Sequence, residues 1–185
     1  MDRLIEFLVQ HPDLANAVGA VTSAIAAFFA VIVSLISVVV SVRAINVQKQ
    51  HNRLSVRPMP EISVADYEDC IRVKLRNNGT GPLKILNVSI SDGKQTRSSL
   101  IELMPALSTG RAWSTFSNDL AGRAIVAADF IPMLELKEIS GEPNFCDVRE
   151  PVRKALKVLT VTVCYTDIYG TNFKPYEKKL DWFGR

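Results

Sequence analysis

Residues 14–42 form a run of 29 positions without a charged side chain, bounded by Asp13 and Arg43. Within residues 17–42, 20 of 26 positions are Ala, Val, Ile, Leu or Phe; the others are Gly19, Thr22, Ser23, Ser34, Ser37 and Ser41. As a helix this stretch rises roughly 39 Å, against about 30 Å of bilayer hydrocarbon, so it spans with some tilt. A cleaved signal peptide has an apolar core of about 7–15 residues and a small-residue cleavage site. This run is longer, and Arg43-Ala44-Ile45-Asn46 after it offers no such site. The pattern predicts an uncleaved single-pass transmembrane helix.

Beyond residue 60 the period changes from a continuous apolar run to alternation. Cys70–Asn77 reads CIRVKLRN, with Ile71, Val73 and Leu75 on one face and Arg72, Lys74 and Arg76 on the other, as in a half-buried strand. Asn77-Asn78-Gly79-Thr80-Gly81-Pro82 breaks it. Leu83–Ser91 resumes with Leu86, Val88 and Ile90 predicted on one face, and Asp92-Gly93 is a hairpin-type turn. Residues 158–165, VLTVTVCY, predict a strong strand, residues 167–170 a turn, and residues 173–180 a returning strand. Residues 98–104, 111–116 and 133–139 are weaker strand candidates, and residues 119–129 fit a strand or a short helix. Around seven short strands predict an antiparallel β-sandwich (Ig-like) or small barrel. The expected organisation is a tail or interfacial segment over 1–16, the span over 17–42, a basic juxtamembrane arm over 43–57 and an all-β domain over 58–185.

Charge sets the expected orientation. Arg3 precedes the span; Arg43, Lys49, Arg53 and Arg57 follow it, with no acid until Glu61. The positive-inside rule then puts the N-terminus outside and the C-terminal domain in the cytoplasm, at an inner (plasma) membrane. The same cations are expected either to contact anionic membrane lipid headgroups or to serve topology alone. Leu4, Ile5, Phe7 and Leu8 either lay residues 2–10 on the membrane surface or belong to a frayed tail. The arm lacks Gly and Pro up to Ser55, so the helix is expected to continue until Arg57-Pro58-Met59-Pro60 stops it.

The span carries a finer pattern. Ser23, Ala27, Ala30, Ser34, Ser37 and Ser41 follow one another in alternating steps of four and three. From Phe28 to Val42 the small residues are Ala30, Ser34, Ser37 and Ser41, all on that seam. Such a seam lets helices approach closely and hydrogen-bond across the interface, so a homo-oligomer through the transmembrane helix is expected.

Composition narrows the chemistry. The chain of 185 residues is 48% apolar and carries a net charge of +3, which excludes a wholly disordered chain. Cys70, Cys146 and Cys164 are odd in number and form no CxxC pair, so no disulfide framework is expected. Cys164, in a strand pattern, is expected to be a buried small residue. No histidine lies beyond His51, which removes Ser-His-Asp and Cys-His catalysis and histidine-based zinc sites from the β-domain. Gly79-Thr80-Gly81 lacks the Gly-Lys-Ser/Thr of a phosphate loop. Asp66, Glu68 and Asp69, and Glu135 with Glu138, read as solvated surface carboxylates. No catalytic residue, metal or cofactor is expected, and the chain reads as a non-enzyme. Residues 58–185 hold 17 Lys and Arg against 16 Asp and Glu, a net of +1, so bulk nucleic-acid binding is not implied. Arg72, Lys74 and Arg76 remain as a local stripe able to meet the phosphates of a ligand.

The segments Asn52-Arg53-Leu54-Ser55-Val56-Arg57-Pro58 and Arg76-Asn77-Asn78-Gly79-Thr80-Gly81-Pro82-Leu83, with Tyr165-Thr166-Asp167-Ile168-Tyr169-Gly170, carry a resemblance. The chain resembles short bacterial single-pass membrane proteins with a cytoplasmic β-sandwich, mostly of unassigned function. The resemblance implies fold and topology rather than activity. In architecture alone the chain is also similar to anti-phage effectors that join membrane helices to a small cytoplasmic β-domain binding a cyclic nucleotide. Those with a β-barrel typically carry two membrane helices, where this chain has one. The expected function is a membrane-anchored binding module whose β-domain recognises a cytoplasmic ligand or protein and controls self-association of the helix. The alternative is a passive scaffold that docks a cytoplasmic protein.

The seam makes a direct prediction. In a single-cysteine scan of residues 28–42, oxidative crosslinking in membranes should peak at 30, 34, 37 and 41. Uniform crosslinking at every position would remove the seam as an interface.

Overall fold

The computed structural model describes residues 12–107, 111–139 and 145–185; the N-terminal stretch 2–10 lies outside the described residues. Two compact units are present, Met1–Asn52 and Arg53–Arg185. Helix α1 spans Pro12–Ser55. Proline suits its first position, where no intrahelical donor is needed, and Asp13 complements the positive end of the helix dipole. None of its residues is buried by the rest of the chain. It is long and apolar enough to span a membrane. Leaving its large apolar side chains in water would cost about 1.5 kcal/mol or more for each one. The hydroxyls of Thr22, Ser37 and Ser41 donate to the carbonyls of Val18, Val33 and Ser37 at 2.7–2.8 Å, so they are satisfied within the helix.

The second unit is a two-sheet antiparallel sandwich, not a closed barrel. One sheet has the order β1 (Pro60–Asp66), β2 (Cys70–Asn77), β7 (Phe130–Lys137), β5 (Thr115–Phe116). The other runs β4 (Thr96–Arg97), β3 (Leu83–Ser91), β8 (Thr160–Thr166), β9 (Tyr176–Lys179), and β6 (Ala124–Ile125) also pairs with β3. Ile71, Val73 and Leu75 of β2 pack with Leu134 and Leu136 of β7, Ile85 and Ile90 of β3, and Val161 and Val163 of β8 in one core. Helix α2 (Phe145–Leu156) adds Phe145, Val152 and Leu156 to it. Asp66 at the end of β1 binds α2 through Arg153 at 2.8 Å and Arg149 at 3.7 Å, so this carboxylate is structural rather than merely solvated.

Several expectations are corrected. Leu86 does not share a face with Val88 and Ile90: a register shift between Ile85 and Asn87 adds a residue, so Leu83, Ile85, Val88 and Ile90 point inward and Leu86 is exposed. Residues 98–104 hold a short 3-10 turn at Leu100–Leu103 instead of a strand. The weak candidate 111–116 shrinks to the two residues of β5, and residues 119–129 form turns around the two residues of β6. β7 begins at Phe130, three residues before the expected start; Pro132 pairs with Lys74 beside a register shift that leaves Met133 unmatched, a position where a proline is tolerated. Strand β8 runs two residues later than expected at its start, and β9 is limited to four residues. Cys164 is only half-buried on the outer face between Val163 and Tyr165; Cys70 is the buried cysteine, and burial pushes its thiol pKa up. β1 and α2 had no counterpart in the sequence pattern.

The break after β2 is a clamp. Asn77 is fully buried. Its Nδ2 donates to the carbonyls of Gly81 at 2.7 Å and Ile125 at 3.1 Å, and its Oδ1 accepts from the amides of Gly79 at 3.0 Å and Met59 at 3.2 Å. The Asn78 amide donates to the Met59 carbonyl, and the Thr80 hydroxyl to the Ser55 carbonyl. A Cβ on Gly81 would overlap the Val56 carbonyl, and one on Gly79 would overlap the backbone of residues 57–59. Glycine is therefore required here for close approach of two backbones.

Removing the amide in Asn77→Ala strands several buried backbone groups and should cost about 3–5 kcal/mol. Gly81→Ala should cost at least as much, because the clash is with backbone. Gly93→Ala, at φ 87° in open space, should cost only about 1 kcal/mol. Thermal unfolding of the three variants checks this order, and equal losses would show that the clamp is not a principal source of stability.

Candidate functional site

Alternation along β2 points Arg72, Lys74 and Arg76 away from the core, toward the outer face of the first sheet. Antiparallel pairing sets Ser63 of β1 and Pro132 of β7 beside Lys74, Glu135 beside Arg72, and both Glu61 and Phe130 beside Arg76. Arg72, Lys74 and Arg76 share a shallow depression of about 290 Å³ with Ser63, Ala128 and Phe130. The three cations expected from sequence are thus brought together, and among the described residues no carboxylate lines the depression.

Two carboxylates flank it. Glu135, 8% exposed, pairs at 3.5 Å with both Arg72 and Lys137. Glu61, across the strand from Arg76, accepts from the Asn78 side-chain Nδ2. The Lys74 ammonium stands 3.6 Å from the centroid of the Phe130 ring, where the ring face stabilises it. Burial and then the charge of Arg72 hold the Lys74 pKa below the ordinary lysine value. Partial desolvation and like-charge repulsion both make this ammonium responsive to an incoming anion. Chemically the depression offers two guanidinium forks and an ammonium beside an aromatic ring, a set suited to multidentate contact with phosphate or carboxylate oxygens.

Ala128 adds an unusual wall. Its φ is 63°, a left-handed conformation that costs a residue with a Cβ roughly 1 kcal/mol or more. The backbone is held there by its amide, which donates to the Asn77 carbonyl at 2.9 Å. Phe130, Ala128, Ser63 and Glu135 were not singled out as site residues. Their only sequence signal is cross-strand register, which a single strand's pattern does not contain. The seam residues Ser23, Ala27, Ala30, Ser34, Ser37 and Ser41 lie on α1, all exposed. Among the described residues no cluster of three or more His, Cys, Asp or Glu side chains could hold a metal ion.

Residues 18–183 match a family described as a domain of unknown function, DUF8453. The chain belongs to this family. No curated protein and no solved structure matches it. The DUF8453 match runs from the apolar part of α1 to Phe183 in the final 3-10 turn, so the helix and the sandwich together make up the family unit.

Glu135 supplies the test of the charge balance. Glu135→Gln should lower stability by roughly 1–2 kcal/mol, since the Arg72–Glu135 pair is largely shielded from solvent. It should also depress the Lys74 pKa further, because Glu135 opposes that shift. NMR titration of the Lys74 side chain checks the second effect, and an unchanged or raised pKa would show that Glu135 does not offset these cations.

Proposed function

We propose that this chain is a non-enzymatic, membrane-anchored recognition module. The helix anchors it in the inner (plasma) membrane with the N-terminus outside, as the flanking cations and the resemblance to short bacterial single-pass proteins both suggest. The β-domain lies in the cytoplasm and binds an anionic ligand on the outer face of its first sheet. Arg72, Lys74 and Arg76 hold the ligand, and binding biases self-association of α1 through the Ser23, Ala27, Ala30, Ser34, Ser37 and Ser41 seam. The observation that carries this reading is a depression that gathers three cations and, among the described residues, no carboxylate on its walls.

The sheet edges favour recognition by a face over addition of a strand. β4, β5 and β6 have two residues each, and β9 reads Tyr-Glu-Lys-Lys. Short or charged edges make poor templates for a partner strand. The amide of Ile62 in β1 is already engaged, donating to the Tyr176 hydroxyl of β9 at 3.3 Å. A passive scaffold that docks its partner by β-augmentation therefore has less to work with than a ligand-binding face. Control of assembly requires the ligand to bind one association state more tightly than the other.

The test uses the full chain in neutral detergent, melted with inorganic pyrophosphate, mononucleotides and cyclic oligonucleotides. A saturable rise in melting temperature is expected with at least one of them, equivalent to about 2.7 kcal/mol at a hundred times Kd. Exchanging Arg72, Lys74 and Arg76 for Ser should abolish it while the fold is retained. No rise with any of these anions, or a rise that survives the exchange, would overturn the assignment and favour the scaffold.

A further inference from the structure

A second cavity lies on another part of the β-domain. Arg57, Pro58, Met59 and Pro60 form one side, and Tyr165 of β8 and Tyr176 of β9 the other, of an open recess of about 390 Å³. The Tyr165 ring stacks on Phe173, with centroids 5.2 Å apart and planes 8° from parallel. The Arg57 guanidinium lies 5.4 Å from the centroid of the same Phe173 ring. The segment 57–60 is not a loose flap, because Met59 is bonded through both its amide and its carbonyl to Asn77 and Asn78.

Tyr165 is 8% exposed as a residue and lines this recess. Burial raises the Tyr165 pKa and the Arg57 charge opposes the rise, so at neutral pH the group is an O–H donor close to a cation. The Tyr176 oxygen accepts from the Ile62 amide, and its own proton remains available for donation. A guanidinium and two phenolic donors thus converge on a space otherwise walled by two prolines and a methionine.

We propose that this cavity binds a small organic anion, with its carboxylate or phosphate oxygens held by Arg57, Tyr165 and Tyr176 and its apolar body against Pro58, Met59 and Pro60. The site is independent of the cationic face on the first sheet and shares no lining residue with it. An occupant bridges residues 57–60 to strands β8 and β9, and so stabilises the attachment of that segment to the sandwich. A soluble metabolite and a lipid headgroup can both present this chemistry.

The experiment uses the full chain in phosphatidylcholine nanodiscs, titrated calorimetrically with phenyl phosphate, benzoate and benzyl alcohol. At least one anion should bind saturably, at least tenfold more tightly than the neutral alcohol. Tyr165→Phe keeps the ring and its stack on Phe173, so the melting temperature should hold while anion affinity falls at least tenfold. Arg57→Gln should weaken binding to a similar degree. The Arg72, Lys74, Arg76 triple exchange should leave this binding unchanged, which separates the two sites. Competition by phosphatidylglycerol introduced into the nanodiscs identifies a lipid headgroup as the source; its absence identifies a soluble anion. No saturable binding of either anion, or binding unaltered in Tyr165→Phe, would overturn the proposal.

Discussion

One buried carboxamide holds the β-domain together where its parts would otherwise separate. Asn77 reaches the segment 57–60 through Met59, its own loop through Gly79 and Gly81, and β6 through Ile125. Its backbone amide donates to the Asp129 carbonyl at 3.0 Å, and its carbonyl accepts from Ala128 at 2.9 Å. Apart from the two residues of β6, these are irregular segments with no ladder of their own. A side chain with two donors and an acceptor in a fixed plane is the economical way to satisfy their polar groups. The glycines follow from the same constraint, because the backbones of residues 79–81 and 56–59 meet too closely for a Cβ.

Around that constraint the two faces of the first sheet divide their tasks. Inward residues of β2 and β7 are apolar and buried, and contribute to the core at roughly 25 cal/mol per Å² removed from water. Outward residues are cationic and only partly matched. Arg72 has Glu135, whereas Lys74 leans on the face of Phe130. A cation held by an aromatic ring keeps its full charge, while one held by a carboxylate loses most of its outward field. The register that brings Phe130 beside β2 therefore leaves charge available at the depression.

The regular parts of the fold were legible, and the irregular parts were not. The bounds of β2 and β3 follow from alternation between turn residues, and the turn at Asp167–Gly170 follows from its chemistry: the Asp167 carboxylate accepts from Tyr169 and Thr171. Burial would raise the Asp167 pKa, but these amide hydrogen bonds outweigh it and hold it low. Leu86 was misplaced because a bulge shifts the period by one residue without marking the sequence. The strand expected over 133–139 begins earlier, at Phe130, and carries Pro132 beside a bulge, where a missing donor is tolerated. Pro151 masked α2, although Phe145, Val148, Val152 and Leu156 recur at helical spacing. For the candidate site, the cations were readable as one strand face. The cavity was not, because its aromatic ring and its strained alanine come from a distant strand and turn.

The two cavities are separate in their linings but not in their support. Ala128, which lines the cationic depression, is held in its left-handed conformation by the Asn77 backbone. Met59, which lines the aromatic cavity, is held by the Asn77 side chain. A ligand at either position selects conformations in which its own half of the clamp is formed. If the two halves open together, each ligand strengthens the other by the same factor, as reciprocity of binding free energies requires. If they open independently, the two sites remain uncoupled however tightly each binds. Asn77 sits in both hydrogen-bond sets, with one end in the side chain and the other in the main chain three bonds away. Rotation of the carboxamide releases Met59 without moving the main-chain carbonyl that holds Ala128, so the two halves open together only when the Asn77 backbone itself is displaced.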